Sequence, residues 1–248
     1  MTQWTDDLAR SLAPRGTLRA AINFGNTVLA QRGPTLEESG GVSVAISREL
    51  AQRLRIPLEL VPFEGAGDVV AAAAEDRFDV GFLAIDPLRA KTLSYTAPYV
   101  LIEGGYLVRN ESPLTAVEEV DRPGIRMSVG ARSAYDLYLT RTLKHAEIVR
   151  AGTSSDGLAL FLSEGLDVAA GVKASLLDFA KTRTDVRVLP GRFMVIEQAM
   201  LTIRGADALH AIADLIEELK RTGFVERELA RTGQTEATVA PAAKPASK

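Results

Sequence analysis

The chain of 248 residues contains no cysteine. Disulfides, thiolate nucleophiles and zinc-cysteine centres are excluded with it, and the redox compartment is left open. Histidine is nearly as scarce: His145 and His210 are the two present, too few for a histidine-rich metal site. Neither charge dominates, since 29 Lys and Arg face 32 Asp and Glu for a net charge of -3. The chain therefore carries no electrostatic footprint for nucleic acid or an anionic membrane surface. No apolar run approaches the roughly 20 residues of a membrane span. Gly25, Gly33, Gly40 and Gly41 lack the spacing of a phosphate loop, and no Gly-Lys-Ser/Thr follows them. No cofactor and no metal are expected. The expected partner is a small-molecule solute bound by a monomer, without nucleic acid and without membrane insertion.

What is present is an alternation of strand and helix signals. Thr17 to Ile22 reads as a first strand, and Ile46, Leu50 and Leu54 recur every fourth residue in the helix that follows a Gly-rich connection. Leu58 to Phe63 is a second strand, Val69 to Glu75 an alanine-rich helix and Phe78 to Ala84 a third strand. This β-α-β-α-β order calls for a parallel sheet. A second series follows Arg122-Pro123-Gly124: strands at Ile125 to Val129, Glu147 to Arg150 and Asp167 to Gly171, and helices at Ser133 to Lys144, Ser155 to Ser163 and from Ala174. Ala97 to Val108 is long and extended, as a segment crossing between two lobes would be. Leu209, Ile212, Ile216 and Leu219 share one face of a last helix that returns to the first lobe. The expected division is 1–102 for the first part of lobe 1, 103–194 for lobe 2, 195–232 for the return to lobe 1, and a disordered Ala/Pro/Thr-rich tail at 233–248. Two crossings make a hinge over a cleft, which suits closure on a ligand.

The stretch with most chemistry is Phe78-Asp79-Val80-Gly81-Phe82-Leu83-Ala84-Ile85-Asp86-Pro87-Leu88-Arg89. Val80 to Ile85 is the apolar run of a strand buried on both faces, and Asp86-Pro87 ends it. Pro87 suits the first turn of a helix, which sets Arg89 just beyond the carboxyl end of the strand, where open parallel sheets hold ligands. A guanidinium there can grip a carboxylate through two parallel hydrogen bonds. The plainer reading is a surface arginine capping a turn. Glu197, flanked by apolar residues, is expected to be partly buried.

In order and spacing, several segments together resemble a type II periplasmic solute-binding protein of family 3, the amino-acid-binding kind. They are Gly16-Thr17-Leu18-Arg19, Gly41 to Ile46, Phe78-Asp79-Val80, Ile85 to Arg89, Ser94-Tyr95-Thr96-Ala97-Pro98-Tyr99 against a Phe-Ser-x-Pro-Tyr pattern, Leu166 to Ala170, and Leu219 to Leu229. The resemblance implies a two-lobed α/β fold, each lobe a mostly parallel sheet with flanking helices. It also implies a periplasmic location, and delivery of the solute to an ABC permease. Arg89 would hold the ligand's carboxylate beside Ala84 and Asp86, where Ser and Thr are usual. Asn23, Phe24 and Phe63 would line the first lobe, and Gly130-Ala131-Arg132-Ser133 would offer free amides at a helix start. An acidic residue usually takes the ligand's ammonium where this sequence has Val172-Lys173. Asp86 or Glu197 are the candidates to replace it.

Two alternatives stay open. Phe193 to Met200 resembles the matching part of cyclohexadienyl dehydratases, with Glu197 as the acid, although Gln198-Ala199 stands in place of their Lys-Ala pair; that reading is a lyase. The other is a cytoplasmic ligand sensor. Trp4, Leu8 and Leu12 lie on one helical face, which is amphipathic rather than the apolar core of a signal peptide. This fits a cytoplasmic chain or one whose leader has been removed.

Overall fold

A computed structural model describes residues 2–244. The chain divides into two compact units, one of residues 1–64, 68–101 and 197–248, the other of 65–67 and 102–196.

In the first unit, strand β1 (Leu18–Asn23) pairs in parallel with β2 (Leu58–Phe63) over six residues, from Leu18 opposite Leu58 to Asn23 opposite Phe63. On its other side β1 pairs in parallel with β3 (Val80–Ala84). Every residue of β3 is buried, as the apolar run requires. Helix α1 (Asp6–Leu12) precedes β1, α2 (Val42–Leu54) joins β1 to β2, and α3 (Ala66–Ala74) joins β2 to β3. The apolar stripe of α2 buries Ile46, Leu50 and Leu54. Helix α2 is entered at Gly41, whose φ of 102° is open to glycine, and where a Cβ would lie 2.3 Å from the Leu29 carbonyl oxygen.

The second unit repeats the plan. Strand β5 (Arg126–Gly130) lies between β6 (Glu147–Ala151) and β7 (Val168–Val172), parallel to both. Helices α4 (Ala134–Thr142), α5 (Ser154–Ser163) and α6 (Lys173–Lys181) follow β5, β6 and β7 in turn. Leu107, Phe161, Leu166, Ala169, Leu176 and Val186 form its core.

The chain leaves the first unit within β4 (Ser94–Arg109) and returns within β9 (Met194–Thr202). In the first unit β9 pairs antiparallel with β3, from Val80 opposite Thr202 to Ala84 opposite Gln198. In the second, β4 pairs antiparallel with β7 and with the short β8 (Val186–Val188). Thus β2-β1-β3 bordered by β9, and β6-β5-β7 bordered by β4, are one topology used twice. Helices α7 (Ala206–Arg221) and α8 (Phe224–Arg231) close the first unit.

The tail differs from its expected disorder. Thr238–Val239 forms strand β10 against Val100 and Leu101 of β4, and the Ala240 amide donates to the Tyr99 carbonyl at 3.0 Å. Alternation of Thr238, Val239 and Ala240 lets a short segment satisfy an open strand edge, despite prolines beyond it. Residues 245–248 of the expected tail lie outside the described residues. Among the described residues no helix is long and apolar enough to cross a membrane.

Candidate functional site

The register of β1 and β3, Ala20 opposite Val80 and Ala21 opposite Gly81, brings their carboxyl ends level. The loops leaving them, Phe24 to Asn26 and Ile85 to Arg89, therefore start side by side. No helix begins at Pro87. The Asp86 Oδ1 instead accepts the Leu88 amide at 2.8 Å, the Asp86 carbonyl accepts the Ala90 amide at 2.8 Å, and a single 3-10 turn spans Arg89–Lys91. An aspartate before proline favours such a side-chain turn over continued helix. The turn folds Arg89 inward until the residue is only 4% exposed, with its Nη1 donating to the Ala84 carbonyl at 3.2 Å. Burial lowers the Arg89 pKa from its ordinary value, against the opposing effects of Tyr95 and Asp86.

Tyr95, at the start of β4, faces this arginine electrostatically. Its hydroxyl is buried and has no hydrogen-bond partner among the described residues. Burial, opposed by Arg89, pushes its pKa up to about 12, so it remains a proton donor at neutral pH. The Asn26 Oδ1, in the neighbouring loop, is likewise buried without a partner. Neither residue is among the site residues expected from the sequence. Tyr95 carried one signal, its hydroxyl where the family pattern has Phe; Asn26 carried none beyond being polar in a Gly-rich connection.

The other expected residues divide. Asn23 Oδ1 accepts the Gly25 amide at 3.1 Å and shapes the loop. Phe24 is buried with the Arg32 guanidinium 4.3 Å over its ring, and Phe63 packs edge-on against Phe78, centroids 6.5 Å apart. Both aromatics are core residues, Phe24 directly after β1 and Phe63 as the last residue of β2. Asp86 is buried, and its charge acts on Arg89. Glu197 is exposed, which corrects its expected partial burial: along β9 its neighbours Ile196 and Gln198 turn inward and leave it outside. Its backbone carbonyl accepts the Ile85 amide at 2.9 Å.

The free amides expected at Gly130 to Ser133 are also corrected. The Ala131 amide donates to the Ala151 carbonyl at 2.8 Å, the Arg132 amide to Asp136 Oδ2 at 2.7 Å, and the Ser133 amide to the Gly130 carbonyl at 3.3 Å. Ser133 Oγ caps α4 by accepting the Asp136 amide at 3.0 Å. The Asp136 carboxylate thus occupies the position that an external anion would take at a helix start. Arg132 holds a left-handed φ of 59°.

Val172 is the N-cap of α6 and pairs with Gly104. The carboxylate at this strand end is Glu103, next to Gly104, and it is already engaged: Lys173 Nζ lies 2.9 Å from its Oε2 and Arg192 Nη1 2.5 Å from its Oε1. These two cations hold the Glu103 carboxyl below its usual range. Two positive charges on one carboxylate leave this corner cationic. Among the described residues no group of His, Cys, Asp or Glu is arranged to hold a metal ion.

Residues 33–232 match the model of the bacterial extracellular solute-binding proteins, family 3. Comparison with curated proteins finds no match. Among solved structures, a protein described as a binding component of an ABC transporter from Wolinella succinogenes, complexed with lysine, superposes with a TM-score of 0.76 at 17% identity, covering 88% of this chain and 95% of the other. The cysteine-binding protein of Campylobacter jejuni gives 0.78 at 16% identity, covering 94% of each chain. An ancestral amino-acid-binding protein, described as a precursor of cyclohexadienyl dehydratase, gives 0.76 at 17% identity, covering 90% and 97%. At these identities the likeness establishes a shared fold. The family match covers most of the sequence, from before α2 to the end of α8, and on that extent the chain belongs to the bacterial extracellular solute-binding proteins, family 3.

Proposed function

We propose that this chain binds a small carboxylate-bearing solute, an amino acid or related organic acid, as the substrate-binding component of an ABC-type transporter acting outside the cytoplasmic membrane. The observation that carries the reading is the buried Arg89 guanidinium at the carboxyl end of β3, with the unsatisfied Tyr95 hydroxyl beside it. A guanidinium at the carboxyl end of a strand presents a planar fork of donors, and a bidentate carboxylate fits that fork. Similar structures that hold lysine or bind cysteine support the ligand class. The exposed Glu197 gives the lyase reading no support.

A thermal-shift screen of amino acids and organic acids tests the reading. A true ligand at 100 times its dissociation constant adds about 2.7 kcal/mol of stability. The expected result is a shift with carboxylates that disappears in Arg89→Ala. A ligand that binds Arg89→Ala as tightly as the native chain would overturn it.

A further inference from the structure

Among the described residues of the first unit, two side-chain polar atoms are buried without a hydrogen-bond partner: Tyr95 Oη and Asn26 Oδ1. Buried polar atoms in native proteins are nearly always satisfied, so each exception calls for a cause. Their chemistry is complementary. The Tyr95 hydroxyl is a donor beside the Arg89 guanidinium, and the Asn26 Oδ1 is an acceptor only. Asn26 lies in the loop after β1 and Arg89, with Tyr95 acting on it, just after β3, at the carboxyl end of two strands paired in register, the end where open parallel sheets hold ligands. Two other polar side chains near this end make local hydrogen bonds. Asn23 Oδ1 bonds the Gly25 amide, and Asp86 Oδ1 bonds the Leu88 amide.

Resting on the carboxylate reading above, we propose that Tyr95 and Asn26 complete the recognition set of the first unit: Tyr95 Oη donates to the carboxylate held by Arg89, and Asn26 Oδ1 accepts from a hydrogen-bond donor elsewhere on the ligand. The substrate class is then an acid that carries its own donor, an amino or hydroxy acid, with that donor met by a neutral amide. This also accounts for Val172, since Glu103 beside it is held by Lys173 and Arg192 rather than kept for an ammonium. A neutral acceptor serves an ammonium and a hydroxyl alike. A carboxylate would favour the ammonium.

The test is calorimetry of the full chain with three matched sets of probes: L-amino acids, the corresponding 2-hydroxy acids, and the corresponding acids with neither group. The native chain is expected to prefer a donor-bearing probe over its donor-free match by roughly tenfold or more, the worth of one hydrogen bond that would otherwise leave a buried acceptor unmet. Asn26→Ala is expected to shrink that preference to about twofold or less while retaining carboxylate binding. Asn26→Asp is expected to raise affinity for amino acids over hydroxy acids. Tyr95→Phe is expected to weaken all carboxylate probes alike, by roughly five- to tenfold, and to leave the melting temperature of the unliganded protein unchanged or higher, since it deletes an unsatisfied buried hydroxyl. A purely structural Tyr95 would lower the melting temperature and spare binding, which would overturn its assignment. Probes lost in Arg89→Ala but bound normally by both Asn26→Ala and Tyr95→Phe would overturn this inference and leave the carboxylate reading standing. Binding that survives Arg89→Ala would overturn that reading itself, and no binding of any probe by the native chain would overturn both.

Discussion

Arg19 and Asp79 clasp each other through both backbone and side chain: the Arg19 amide donates to Asp79 Oδ2 at 2.9 Å, the Asp79 amide to the Arg19 carbonyl at 2.8 Å, and Arg19 Nη2 to Asp79 Oδ1 at 2.8 Å. The second unit repeats the backbone part. The Arg126 amide donates to Asp167 Oδ2 at 2.8 Å and the Asp167 amide to the Arg126 carbonyl at 3.0 Å. In each unit an arginine at the start of the central strand meets the aspartate just before the third. Only the first unit encloses the pair. Arg204 and Asp76 join Arg19 and Asp79 there, and the Asp79 side chain is fully buried.

Asp79→Ala is therefore expected to destabilise the protein strongly, by about 3 to 5 kcal/mol, because it strips the buried Arg19 and the half-buried Arg204 of their shared carboxylate. Urea denaturation monitored by circular dichroism measures it. Asp167→Ala, at the exposed clasp, is expected to cost clearly less.

Arg89 should be intolerant even of lysine. Removing a charge-assisted pair costs about 1.5 to 3 kcal/mol, so Arg89→Ala is expected to weaken the ligand found in the screen by roughly ten- to over a hundredfold. Lysine keeps the charge but lacks the fork, and little rescue is expected in calorimetry.

Helices α2 and α7 are joined by a forked pair, with Arg53 Nη1 and Nη2 each 2.8 Å from one oxygen of Glu218. The Arg53 hydrogen bonds hold the Glu218 pKa below its ordinary value of 4.5. A carboxyl depressed by folding contributes stability that is complete above its unfolded pKa and is lost as pH falls through the lower folded value. Stability measured by denaturation should accordingly decline below about pH 4.5, and Glu218→Gln should flatten that part of the decline. An unchanged acid limb in the variant would show that the pair contributes nothing.

Truncation after Thr235 removes β10 and the Ala240 bond to Tyr99. The expected result is a lower melting temperature and faster hydrogen exchange in the Tyr99 to Leu101 stretch. A freely solvated tail would leave both unchanged.

The strands and helices were legible because their apolar periods are clean: Leu58 to Phe63 and the Ile46, Leu50, Leu54 stripe stand where the pattern places them. Boundaries moved by one to three residues, as at α3, which starts at Ala66 rather than Val69. The same pattern set Arg89 just past the carboxyl end of β3. What stayed hidden depends on which partner a polar group finds. Nothing in the order of residues shows that Asp136 takes the amide of Arg132, or that Glu103 is held by two cations, because those pairings join residues from 4 to 89 positions apart. Glu197 was misplaced for a simpler reason: successive residues of a strand point to opposite faces, so Ile196 and Gln198 turn inward together and leave the residue between them outside.

The clasp of Arg19 and Asp79 sits at the amino end of β3, and Arg89 just past its carboxyl end. Folding determinants and the proposed recognition groups thus occupy opposite tips of one five-residue strand. Selection can then act on them separately. Loops at one tip are free to drift toward new solutes while the other tip keeps the chain folded, a route to evolvability consistent with one architecture persisting at 16–18% identity.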